Sequence, residues 1–228
     1  MYNAFFVADA SWGALYPGAK AGILVMRNVT DVATSDALNE RRHTLEASLR
    51  SQYGGVARDV LNELPIIAAY NSYYKQFGKT YHVRSQVESI ASGKTFPNVS
   101  AVLTSMFMAE VKSMLLTAGH NLDALSLPVR ITIAKGDEGY DDIRGAHKTT
   151  VANDMIMCDG EGPISSILLG PDGRTKIQST SRNLMFAVYA PTDIAKEVVL
   201  AHLHDIENSI KLFSPQASIE LLEVFEAR

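Results

Sequence analysis

The stretch IAAYNSYYKQFGKTYHVRSQVESIASGKTFPNVS, residues 67–100, decides how the chain is read, because the GKT at 93–95 invites a phosphate-binding loop. Such a loop needs a glycine, four residues and then Gly-Lys-Ser/Thr, so that backbone N–H groups can wrap the phosphates. Counting back from Gly93, the first glycine position is held by Glu88, whose carboxylate repels phosphate. The surroundings disagree as well. A phosphate loop leaves a buried strand and opens a helix, whereas HVRSQVESIAS at 82–92 has helical spacing and Pro97 bars a helix on the far side. GKT needs another explanation.

The 228 residues, 46% hydrophobic and 20% charged, can bury a large core in one or two domains. A net charge of −4 provides no global basic field, so DNA is not expected as a partner and any RNA must meet a local patch. Lys75, Lys79, His82, Arg84 and Lys94 lie in a stretch whose only acid is Glu88. They fit either a contact with a nucleic-acid backbone or a solvated helix face. The single cysteine, Cys158, excludes an intrachain disulfide framework and fits a reducing compartment. MYNAFFVADASWGALYPG at the start lacks the basic region and long apolar core of a signal peptide, and no stretch has the ~20 apolar residues of a membrane span. A soluble, cytoplasmic protein without a membrane partner is expected.

Working outward from 67–100, AGILVMRNV at 21–29 reads as a buried strand, and Thr34 or Ser35 can cap a helix that Gly54-Gly55 stops. A helix over 57–77 has Pro65 as a boundary or kink and Gly78 at its close, and Arg84–Ala91 forms a short helix. NVSAVLTSMFMAEVKSMLLTA at 98–118 has helical spacing throughout. After Pro128 the texture changes. VRITIA, MIMCD, ISSILLG and NLMFAVYA read as strands, with hairpin turns at Asp159-Gly160 and Asp172-Gly173. A helix returns over 192–213, and ASIELLEVF at 217–225 closes the chain as a strand. The pattern predicts an α+β fold with a mostly antiparallel sheet.

Motif chemistry is sparse. His202 and His204 are two apart on a helix, pointing about 200° away from each other, so they cannot share a metal ion. His202 sits on the apolar stripe and reads as a hydrogen-bonded core residue. The acids Asp137, Glu138, Asp141 and Asp142 lack the glycine and terminal glutamate of a calcium loop and read as a solvated hairpin tip. Cys158, mid-strand among Met155, Ile156 and Met157, has no basic neighbour to activate it. No metal and no cofactor is expected.

The order of features is specific even so. Tyr70 on a helix, Gly78, Arg84, Val87-Glu88 and Gly93-Lys94-Thr95-Phe96-Pro97 resemble the opening of free-standing relatives of the editing module of the phenylalanyl-tRNA synthetase β chain, its fused third and fourth domains. Leu122-Asp123-Ala124-Leu125, Val129-Arg130, Gly136-Asp137-Glu138, Arg174-Thr175-Lys176-Ile177 and NLMFAVYA continue the resemblance over nearly the whole chain. It implies that GKT is a helix-ending glycine followed by a loop. It also implies a PheT/TilS-like fold, with helices around a β-sandwich of unusual topology, as one domain over 1–228: helix-rich 30–127, strand-rich 128–190, and a closing helix and strand over 191–228.

Departures from the family pattern fall at the site. The helix after the Pro carries Leu103-Thr104 and Phe107 where many relatives have Val-Asp-x-x-Asn, and the synthetase's site histidine aligns with Ala118, two residues before His120. The resemblance implies trans-editing, the hydrolysis of a wrong aminoacyl ester at the acceptor end of a tRNA. His120 would orient water or contact the ribose, while Asp123 and Asp172 would receive the amino group or side chain, although Asp172 also fits a plain Asp-Gly turn. Lys75, Lys79, Arg84 and Lys94 would contact tRNA. The alternative is a non-catalytic module holding tRNA or an amino acid. His120, Asp123 and the 165–175 turn are expected to converge on one concave site. The loop at 92–98 should bind neither ATP nor GTP: equilibrium dialysis should find no micromolar affinity, and Lys94→Ala should change nothing.

Overall fold

The computed structural model describes residues 5–97 and 99–228. The chain opens with β1 (Phe6–Ala8), α1 (Ala10–Leu15) and β2 (Lys20–Arg27). The helical part follows as α2 (Asp36–Tyr53), α3 (Arg58–Asn62), α4 (Pro65–Lys75), α5 (Val83–Ala91) and α6 (Ala101–Ser113). Then come β3 (Leu116–Asn121), β4 (Val129–Ile133), β5 (Gly139–Asp141), β6 (His147–Thr149), β7 (Met155–Asp159), β8 (Gly162–Ser166), β9 (Gly170–Pro171), β10 (Leu184–Ala190), α7 (Lys196–Lys211) and β11 (Ser218–Glu226).

β10 and the interior of β2, between Lys20 and Arg27, are apolar because both faces are covered. They pair antiparallel at the centre of a four-stranded sheet ordered β11-β2-β10-β3. On one face lies α7, whose Val199 and Leu203 sit directly over Gly22. Against the other lies a mixed sheet ordered β1-β4-β7-β8-β9, in which only the β1–β4 pair is parallel. Phe6 and Phe225 touch across the two sheets with ring centroids 4.5 Å apart, and Ser165 on β8 shares a 2.5 Å hydrogen bond with the Tyr189 hydroxyl on β10. Hairpin β5–β6 projects from this body as a sheet of its own.

Helix ends follow local chemistry. Ser35 caps α2 by accepting the Leu38 N–H, and Pro65 takes the first turn of α4, so the predicted 57–77 helix is two helices. Gly93, at φ 102°, ends α5, and the Lys94 N–H returns to the Ser89 carbonyl. GKT therefore closes a helix. Glu88 meanwhile forms a two-pronged ion pair with Arg58.

The helix predicted over 98–118 stops early. Asn98 lies outside the described residues, α6 ends at Ser113, and Met114 turns to φ 61°. Residues 116–121 become β3 because β10 offers them a full antiparallel register, Tyr189–Leu116 to Leu184–Asn121, which outweighs local helical spacing. Asp172-Gly173 likewise makes no hairpin. Asp172 instead forms a β-bridge to Asp142.

α4 fastens the helices to both sheets through three tyrosines. The Tyr70 hydroxyl donates to the Tyr189 carbonyl and accepts the Leu116 N–H at 2.9 Å. Tyr73 donates to Asp154 at 2.6 Å and accepts the Met155 N–H at 2.7 Å, and Tyr74 donates to the Ile167 carbonyl. Helix and sheet approach closely at Gly22, where an added Cβ would stand 2.5 Å from Val199 Cγ1. Gly22→Ala should therefore destabilise the fold by about 1–3 kcal/mol, read as a lower urea midpoint with an unchanged slope.

Candidate functional site

β3 is an edge strand of its sheet, and its outward N–H groups reach elements other than β10. The Thr117 N–H donates to Glu110 Oε2 on α6 at 3.1 Å, and the Asn121 N–H donates to the Thr175 carbonyl at 2.7 Å. Between these two attachments a cleft of about 730 Å³ opens, walled by α5 and α6 on one side and by the β8–β9 segment and the β5–β6 tip on the other. Its wall is mainly apolar, with Met106, Phe107, Leu116 and Ile177, and the polar groups reaching it include Gln86, Glu110, Arg144 and Lys176.

His120 and Asp172 come together, though not at the cleft surface. His120 is fully buried; its Nδ1 lies 2.7 Å from Thr175 Oγ1, and the Thr175 hydroxyl donates to the Asp172 carboxylate. With that hydroxyl proton committed, Thr175 accepts from His120 Nδ1–H, which leaves Nε2 buried with no hydrogen-bond partner among the described residues. Burial pushes the imidazole down to about 4, with Arg174 adding to the effect and Asp159 opposing it. At neutral pH His120 is uncharged. Burial also raises Asp172, against the lowering influence of Thr175 and Arg174.

Asp123 stands apart. Its carboxylate is 54% exposed, accepts from Asn183 Nδ2 at 2.8 Å and faces Arg27 at 4.0 Å, at the end of the sheet. The three expected site residues therefore do not converge. Arg84 also differs from expectation: it is buried, donates to Asn62 at 2.8 Å and faces Glu88 at 3.7 Å, so it braces α3 against α5. Lys75, Lys79 and Lys94 are exposed. His202 is a core residue, bonded to Ser113 and Thr117 at 2.7 Å on either ring nitrogen. Burial pushes the half-buried Cys158 thiol up to about 11, which keeps it protonated. Among the described residues no three His, Cys, Asp or Glu side chains gather as a metal site, and no helix is long and apolar enough to cross a membrane.

Over 96% of its length the chain is similar in fold to an N-terminal fragment of the phenylalanyl-tRNA synthetase β-subunit from Pyrococcus horikoshii, with a TM-score of 0.51. Identity is 9%, so the likeness is one of fold, and the chain spans 51% of that fragment. No protein-family profile matches the chain, and no characterised protein matches it in sequence. The α+β architecture with a mostly antiparallel pair of sheets agrees with the expectation from sequence.

Sequence reasoning missed Glu110. It is 3% exposed, and burial raises its carboxyl to about 7 despite hydrogen bonds from Thr117 and Gln86. The signal was present: Glu110 falls four residues after Met106 and seven after Leu103, inside an apolar helical stripe. A carboxyl raised from 4.5 to about 7 holds its proton more tightly when folded, so its contribution is complete below pH 4.5 and is lost as pH rises through about 7. Glu110→Gln should match the parent protein near pH 4.5 and exceed it at pH 8 by on the order of 3 kcal/mol in chemical denaturation.

Proposed function

We propose that this chain is a cytoplasmic, tRNA-binding relative of the synthetase editing module, folded as a single domain, that takes the aminoacylated end of a tRNA into the cleft and hydrolyses a mischarged ester. The supporting observation is the fold likeness to the phenylalanyl-tRNA synthetase β-subunit fragment across 96% of the chain. The cleft adds to it, since an apolar wall with a few polar groups suits an amino-acid side chain. An ester to a ribose hydroxyl is already activated. Its hydrolysis needs a placed water and groups that steady the oxyanion, without a metal or a nucleophilic side chain. Exposed Lys75, Lys79 and Lys94 would track the tRNA backbone, and Arg144 and Lys176 line the cleft itself. Arg84 drops out of that set because its charge is already engaged.

A second reading is a non-catalytic module that holds tRNA or an amino acid, and the complete burial of His120 favours it. Incubation with a panel of mischarged tRNAs separates the two. Deacylation of one member faster than its spontaneous rate is expected, and His120→Ala, which removes a buried support of the cleft, should weaken binding and deacylation together. Charge reversal at Lys75, Lys79 and Lys94 should weaken binding and reduce its salt dependence by about three phosphates' worth. No acceleration for any tRNA removes the enzymatic reading, and salt-sensitive binding that survived it would support the module alone.

A further inference from the structure

The cleft wall contains a carboxyl group, Glu110, that forms no ion pair among the described residues. It accepts the Thr117 N–H at 3.1 Å and a side-chain hydrogen bond from Gln86. Tyr70, Tyr74 and Tyr81 are close enough to feel its charge. Their hydroxyls donate elsewhere, to the carbonyls of Tyr189, Ile167 and Met114. Burying a carboxylate without a cation is costly, and a residue serving only to fill the core would be apolar here, as Met106 and Leu103 on the same helix are. Glu110 is 3% exposed but forms part of the cleft wall, so a ligand would have to settle against that wall to meet it.

We propose that Glu110 is the anchor for the ammonium group of a ligand whose apolar side chain lies against Met106, Phe107 and Leu116. The ligand class is an α-amino acid with an apolar side chain, present as the free acid or as an ester on a nucleotide. An ammonium supplies the missing positive charge beside a carboxyl that is 3% exposed, where a charge-assisted hydrogen bond is stronger than in open water. The neighbouring wall then selects for apolar bulk, while Arg144 and Lys176 meet whatever negative charge follows the carbonyl. This assignment rests on the reading of the cleft as the aminoacyl site, and it gives Glu110 a role in recognition rather than in moving a proton.

The test uses non-hydrolysable probes at pH 7.5: L-leucinamide and L-phenylalaninamide, their desamino counterparts 4-methylpentanamide and 3-phenylpropanamide, and free L-leucine and L-phenylalanine. Calorimetric titration of the full chain should show at least one amino amide binding tenfold or more tightly than its desamino counterpart. Glu110→Gln, with its fold checked by thermal melting, should erase that preference, and Glu110→Asp should restore part of it. Binding of amides alone points to an ester as the natural ligand, and binding of free amino acids as well points to the acid; both support the anchor. Equal binding of desamino probes, an unchanged Glu110→Gln, or no binding by any probe overturns it. A Glu110→Gln protein that bound the amides normally yet deacylated tRNA slowly would also overturn it, while leaving the tRNA reading standing.

Discussion

The hydroxyls of Tyr70, Tyr73 and Tyr74 hold the helical part against both sheets, and the rest of the structure depends on them. Each backbone group they meet is at an end or break of a strand: Leu116 N–H where β3 begins, Met155 N–H where β7 begins, the Ile167 carbonyl just past β8, and the Tyr189 carbonyl near the end of β10. Buried and without a partner, each such group would cost about 1–3 kcal/mol. A tyrosine fulfils two requirements at once, since its ring fills the core and its hydroxyl reaches the backbone. Tyr70 further stacks on Tyr81 with ring centroids 4.1 Å apart, which fixes the approach to α5.

That fastening shapes the cleft. With α4 pinned to both sheets, α5 and α6 stand beside β3 without closing over its outer edge, and Glu110 reaches across to the Thr117 N–H. The buried carboxyl is thus a consequence of how the helices are hung on the sheets. The His120–Thr175–Asp172 chain has a different place in the fold. It ties the outer edge of β3 to the 172–176 segment, completed by the Asn121 N–H to the Thr175 carbonyl, and so forms the far support of the cleft. A neutral, buried imidazole suits that supporting position.

Local chemistry alone determined a large part of this protein. The apolar runs of β2 and β10, the Ser35 cap, the Pro65 boundary and the Gly93 stop are each written in a few neighbouring residues, and together they give the α+β order. The rejection of a phosphate loop at GKT was equally local, since it needed only Glu88 and the helix before Gly93. The core role of His202 followed from its place on an apolar stripe, and Ser113 and Thr117 now supply its hydrogen bonds.

What the tertiary structure decided is whatever depends on a partner far along the chain. Residues 116–118 continue the helical spacing of α6, and only the register offered by β10 turns them into strand. Arg84 reads as one member of a basic cluster, yet Asn62 and Glu88 draw it inward. Asp123 and His120 are three residues apart, and the bend after Asn121 sends one to Asn183 at the surface and the other to Thr175 in the interior. Glu110 is ordinary in one dimension and becomes a buried carboxyl, without an ion pair among the described residues, only when β3 folds back beside it. Periodicity records which face of an element is apolar, but burial, pairing and charge balance are set by what that face meets.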